Sequence, residues 1–117
     1  MDIIDREREK LSFMDVLAML DAAYFLGEDK LAEQYAEIAV SRIEKSKKTD
    51  STKAYEYYEF AITLNRLGVY DLAREAIDKA LLLQNDDIVL FEDKTYQVSK
   101  EPRRLYNELK KEIIRRM

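Results

Sequence analysis

The stretch AYEYYEFAITLNRLGVYDLAREAIDKALLL, Ala54 to Leu83, decides the fold. It holds two helix-length apolar patterns that meet at Leu67-Gly68, one of only two glycines in the chain. Tyr57, Phe60, Ala61 and Leu64 recur at helical spacing before the glycine. Ala73, Ala76, Ile77, Ala80 and Leu81 do so after it. The spacing predicts one helix from about Thr52 to Leu67 and another from Tyr70 to about Leu83. A corner this short joins the two as an antiparallel hairpin. Glu75 and Lys79 are set for an i,i+4 ion pair on its exposed face.

Working outward toward the N-terminus, the plan recurs. Ser12 with Asp15 three residues on has the spacing of a capping box, and Leu11 with Val16 that of a hydrophobic staple. From Phe13, the residues Val16, Met19, Leu20, Ala23 and Leu26 follow helical spacing up to Gly27. Glycine there ends a helix in the left-handed conformation without a Cβ penalty. A second helix is expected from Glu28 to about Lys45, with Leu31, Ala32, Tyr35, Ala36, Ile38, Ala39, Val40 and Ile43 on a broad apolar face. Residues 44–52, EKSKKTDST, read as a polar linker. Residues 2–10 read as a short helix anchored only by Ile3 and Ile4.

Overlaying Gly27 on Gly68 brings the two units into register. Leu26-Gly27, Leu31-Ala32 and Ala39-Val40 face Leu67-Gly68, Leu72-Ala73 and Ala80-Leu81. The hairpins are therefore duplicates, over 13–46 and 52–85. The second resembles a tetratricopeptide repeat through Tyr57, Phe60, Ala61, Leu64, Gly68, Tyr70, Ala73, Ile77, Ala80 and Leu81. The first does so through Val16, Met19, Leu20, Gly27, Ala32, Ala36, Ala39 and Val40. It departs from the family at Asp29, where an aromatic is preferred. The offset from Gly27 to Gly68 is 41 residues, about seven more than the family period. Two extra helical turns would accommodate the difference, and Ile43 continues the apolar stripe that far.

The resemblance implies an all-α chain of helical hairpins stacked as an α-α superhelix. It also implies a groove, lined by the first helix of each unit, that holds a peptide or partner protein. The groove positions are Met14, Leu17, Asp21, Tyr24 and Phe25 in the first unit, and Tyr55, Tyr58, Ile62, Asn65 and Arg66 in the second. Aromatic side chains anchor interfaces because they give large contact area at low entropic cost. Tyr57 takes a core position, which leaves Tyr55 and Tyr58 for the groove side. The same aromatics could instead pack on the N-terminal segment, on the C-terminal helix or on a second copy of the chain, so a homodimer stays open. Some family members clamp a terminal carboxylate with Lys and Asn. Leu17, Asp21, Tyr58 and Ile62 stand at those places, so no such clamp is expected.

Beyond Asn85 the texture changes. Ile88–Phe91 and Thr95–Val98 are β-branched and aromatic around Glu92-Asp93-Lys94, which reads as a small β-hairpin near 88–98 or as a short helix. Ser99 or Glu101 followed by Pro102 opens a last helix, with Leu105, Tyr106, Leu109 and Ile113 as its apolar stripe. That stripe is the expected cap of the second hairpin, because a two-repeat stack leaves an apolar end open. Residues 94–117 carry eight Lys/Arg against three Glu, a net of +5, while the whole chain is at −4. Arg103, Arg104, Lys110, Lys111, Arg115 and Arg116 are the candidate contacts of an alternative, nucleic-acid-associated reading. They recur around the helix and do not form one flat patch. A solvated face that complements the helix dipole and the acidic body is the preferred account of them, ahead of nucleic acid and of an acidic protein partner.

Composition narrows the function classes. The 117 residues suit one domain. The chain has no His and no Cys, so it lacks the usual near-neutral base, the commonest transition-metal ligand and any thiolate site. Two glycines cannot build a phosphate-cradling loop. Asp86-Asp87 and Glu92-Asp93 do not have the spacing of a calcium loop and read as solvated charge. No uncharged run approaches membrane-spanning length, and the N-terminus has no secretory pattern. A cytoplasmic, non-enzymatic protein without metal or cofactor is expected. Abundant charge with only three Asn and three Gln matches thermophile composition.

Overall fold

A computed structural model describes residues 12–84, 88–91, 94–97 and 102–117, with backbone alone in the two short strands and at Pro102. The element order is α1 (Phe13–Phe25), α2 (Asp29–Lys45), α3 (Asp50–Leu67), α4 (Tyr70–Leu83), β1 (Ile88–Phe91), β2 (Lys94–Gln97) and α5 (Pro102–Arg116). Helix dominates. The chain divides into two compact units, 1–42 and 43–117, with the division falling inside α2. Expectations about residues 2–10, Leu11, the two acidic pairs and a cap at Ser99 or Glu101 lie outside the described residues.

In the first unit, the Ser12 hydroxyl accepts from the Asp15 backbone N–H at 3.1 Å, and the Asp15 carboxylate accepts from the Ser12 N–H at 3.3 Å. This is the capping box that the spacing predicts, and it satisfies two of the donors that a helix start leaves open. At the other end, Gly27 takes φ +75°. Its N–H donates to Tyr24 O at 3.1 Å, and the Glu28 N–H donates to Ala23 O at 2.9 Å. These are the paired bonds of a Schellman motif.

The second unit repeats that corner atom for atom. Gly68 takes φ +82°. The Gly68 N–H donates to Asn65 O at 3.1 Å and the Val69 N–H to Leu64 O at 2.9 Å. One turn further on, Ala32 N–H to Glu28 O (2.9 Å) has its counterpart in Ala73 N–H to Val69 O (3.0 Å). Every donor and every acceptor of one corner lies 41 residues from its equivalent in the other. The internal repeat is thus present in backbone hydrogen bonding as well as in residue type.

The linker is shorter than the polar run suggests. Glu44 and Lys45 still belong to α2, and α3 already begins at Asp50. Thr49 is the cap: its hydroxyl accepts from the Thr52 N–H at 3.2 Å, so the helix starts as soon as a side chain satisfies its first turn. Ser51 and Thr52 are consequently buried. Polarity alone gave the wrong boundary because capping residues and linker residues are the same types.

α3 is the centre of the second unit. Ala54, Tyr57, Phe60, Ala61 and Leu64 are buried, and α4, β1 and α5 all pack on α3. α4 contributes Ala73, Ala76, Ile77 and Ala80, whose small side chains allow close approach. β1 and β2 pair antiparallel, Ile88 opposite Gln97 and Phe91 opposite Lys94. Pro102 occupies the first position of α5, where its missing N–H costs nothing. α5 lies antiparallel to α4. Arg103 reaches the carbonyls of Leu81 and Gln84, and one end further along Lys110 meets Asp78 at 2.7 Å. These helices pack against their sequence neighbours, an arrangement compatible with a helical repeat. The cap expected of the C-terminal helix is realised on the chain's own α4.

Candidate functional site

The groove positions of α1 divide into two kinds. Leu17 is buried, so its side chain belongs to the core and is not a contact for a partner. Asp21 and Tyr24 are partly exposed. Burial raises the Tyr24 hydroxyl pKa, and the charges of Asp29 and Glu33 raise it further. Met14 is 53% exposed and Phe25 is 88% exposed. They are accompanied by Met19 at 40% and Leu26 at 72%, two residues that the sequence pattern counts with the apolar face.

A helical wheel shows how unusual this helix is. At 100° per residue, Met14, Phe25, Ala18, Ala22, Asp15, Leu26 and Met19 fall within a sector of about 140°. All seven are exposed, and Asp15 alone is charged. The opposite side, with Val16, Leu17, Leu20 and Ala23, is buried. α1 is therefore apolar on both faces, a pattern expected of a helix enclosed on all sides. The sequence blurs this, because with apolar residues on both faces the helical spacing takes in Met19 and Leu26 along with the buried Val16, Leu20 and Ala23.

In the second unit, the groove positions lie on α3. Tyr55, Tyr58 and Ile62 are partly buried, Asn65 is buried and Arg66 is exposed. The Tyr55 and Tyr58 rings are tilted with centroids 6.2 Å apart, and Tyr58 lies 4.8 Å from Tyr106 of α5. Tyr106 is buried, and its hydroxyl points to Gln84 Oε1 at 3.5 Å. Tyr58 thus packs on the C-terminal helix, one of the occupants that the sequence left open for these aromatics. Asn65 Oδ1 accepts no hydrogen bond among the described residues.

The tyrosine cluster shapes its own acidity. Burial first, then the hydrogen bond to Glu59, the Glu59 charge and Tyr58, push Tyr55 up to about 12. Burial first, then Glu59 and Glu108, raise Tyr58. Burial, followed by Tyr58, Tyr55 and Glu59, holds Tyr106 far above the ordinary tyrosine value. Phenols held neutral near pH 7 supply packing and hydrogen bonds.

The basic residues of α5 are largely committed to the protein itself. Arg103 Nη1 donates to Leu81 O at 2.7 Å and to Gln84 O at 2.8 Å, closing carbonyls that the end of α4 leaves open. Lys110 pairs with Asp78, Arg104 with Glu108 at 3.4 Å, and Arg116 with Glu112 at 3.3 Å. Lys111 and Arg115 are exposed. Lys79, placed by spacing opposite Glu75, meets Glu44 at 3.7 Å and sits 5.5 Å above the Tyr57 ring.

Sequence reasoning missed two features. Arg103 reads as one member of a charge cluster, and only the antiparallel docking of α5 makes it a helix cap. Glu56 reads as a surface residue between tyrosines, yet it is buried and takes the Lys48 ammonium at 3.0 Å. Among the described residues, no three His, Cys, Asp or Glu side chains gather as a metal site, and no helix is long and apolar enough to cross a membrane. No family model, curated protein or solved structure matches the chain.

Proposed function

We propose that the chain is a tetratricopeptide-like, non-enzymatic scaffold that binds a protein or peptide through the outer face of its first helix. The observation that carries this reading is the exposed apolar sector of α1, with Met14, Met19, Phe25 and Leu26 in reach of solvent and one carboxylate among them. Contiguous apolar surface of this kind marks an interaction site on a folded protein. The Schellman corner at Gly27 fixes the end of α1 beside that face. Phe25, nearly free of intramolecular contact, is the anchor expected to contribute most to affinity.

Co-purification of the tagged chain from its native host tests the reading. The double variant Met14→Ser, Phe25→Ser is expected to lose its co-purifying proteins while keeping the wild-type melting temperature. The same set of proteins retained by the variant overturns the proposal.

A further inference from the structure

We propose that the occupant of the α1 outer face is a second copy of the chain, paired antiparallel through α1 about a two-fold axis that crosses the exposed face at the level of Leu20. This rests on the reading that the face is a binding surface and names its partner.

The order of side chains along the exposed sector carries the inference. It runs Met14, Asp15, Ala18, Met19, Ala22, then Phe25 and Leu26, with Ala18 and Ala22 close to the centre line of the sector and Met19 at its edge. Reversal about the level of Leu20 exchanges Met14 with Leu26 and Ala18 with Ala22. An antiparallel copy therefore sets Ala18 of one chain against Ala22 of the other, where the two backbones can approach closely. Met14 of each chain then lies over Phe25 and Leu26 of its partner. A parallel copy would instead set like against like, the two Phe25 rings at one end and the two Met14 side chains at the other. Antiparallel pairing also brings opposite ends of the two helix dipoles together. The contact is isologous, so it closes at two copies.

Charge and area agree. The single charged residue of the sector, Asp15, already accepts the Ser12 N–H in the capping box. The other exposed large apolar residues, Leu82, Ile114 and Met117, lie apart from one another or among Lys111, Arg115 and Arg116. Among the described residues, α1 is thus the apolar face of matching length. Its exposed side chains offer on the order of 500 Å² per chain, given about 150–250 Å² for a fully exposed aromatic and somewhat less for Met and Leu. Two copies would bury about 1,000 Å², the lower limit for a specific interface. The expected dimer is weak and dissociates on dilution.

Sedimentation equilibrium of the purified full chain over a wide concentration range tests this. A dimer that dissociates on dilution is expected. Ala18→Arg, at an exposed position, should shift it to monomer at concentrations where the wild type is dimeric, with helical circular dichroism unchanged. The chain has no native cysteine, so orientation can be read by oxidation of mixed single-cysteine variants. Ala18→Cys should cross-link to Ala22→Cys faster than either variant does to itself. Monomer mass at every concentration overturns the inference, whatever else covers the face. So does a dimer indifferent to Ala18→Arg, or preferential cross-linking of Ala18→Cys to itself. Mass reads the chain's own copies and co-purification reads other proteins, so a monomer that still captures partners through Phe25 overturns the self-pairing alone.

Discussion

The ring of Tyr58 in α3 lies 4.8 Å from that of Tyr106 in α5, tilted by 38°, and through this pair the C-terminal helix is joined to the core of the second hairpin. Tyr106 is among the largest fully buried side chains of the chain. Truncating it removes apolar burial and leaves a cavity, at a cost of about 3–5 kcal/mol. Tyr58→Ala is expected to cost less, because that ring is only partly buried. Urea unfolding of the two single variants and the double variant should give a coupling of about 0.5–1.5 kcal/mol. Strict additivity would show that the rings do not interact in solution.

Arg103 caps α4 with one guanidinium nitrogen shared between two carbonyls. Arg103→Ala is expected to lower stability by about 1–3 kcal/mol, since the acceptors lose a charged donor. Arg103→Lys should recover part of this, because the ammonium keeps the charge and several N–H donors on one nitrogen but on a shorter side chain. Deleting residues 102–117 should destabilise the second unit far more. An unchanged melting curve for the deletion would remove the capping role from α5.

Glu56 is 9% exposed at its side chain while its partner Lys48 is 53% exposed. Lys48→Met leaves a buried carboxylate without its cation and should cost about 1–2 kcal/mol, the exposed ammonium limiting the loss. Adding Glu56→Gln should return part of that stability. A double variant no better than Lys48→Met alone would show that the pair is not what holds Glu56.

At Gly27 an added Cβ meets nothing within 4 Å, and at Gly68 it meets only the Tyr70 hydroxyl, at 4.0 Å. Substitution there is penalised by the positive φ and not by crowding. Gly27→Ala and Gly68→Ala should each cost about 1–2 kcal/mol, and Asn at either site less. Equal costs at the two corners are expected because the hydrogen bonding is the same. A loss confined to one would mean that only one corner is held in solution.

The buried and half-buried phenols give stability a defined alkaline limb. Tyr55 moves from 10.0 up to about 12 in the folded chain, and Tyr24, Tyr57, Tyr58 and Tyr106 move in the same direction. Above pH 10 the unfolded chain releases protons that the folded chain retains. Folding stability should therefore fall as pH rises from 10 through 12, with no contribution from these groups below 9. Phenolate absorbance during titration checks this. Five of the eight tyrosines should ionise late, and a single uniform step at pH 10 in the folded protein would refute it.

What the sequence determined by itself is the repeating part of the molecule. Four helices, the Ser12–Asp15 box and the two glycine corners follow from local chemistry: helical spacing, one side chain per cap, and a positive φ that only glycine takes cheaply. The overlay of Gly27 on Gly68 was legible because both corners use the same residues for the same bonds. Tertiary structure decided the rest. Leu17 and Asn65 stand in register with exposed neighbours but are buried, because burial depends on what packs on a face and not on its period. Tyr58 met Tyr106, Arg103 met the end of α4, and Lys79 met Glu44 across distances in sequence that no local pattern encodes. For α1 the pattern set Val16, Leu20 and Ala23 inward but counted Met19 and Leu26 with them, since both of its faces are apolar. Packing settled the burial of Val16, Leu17, Leu20 and Ala23, and Met14, Met19, Phe25 and Leu26 were left exposed.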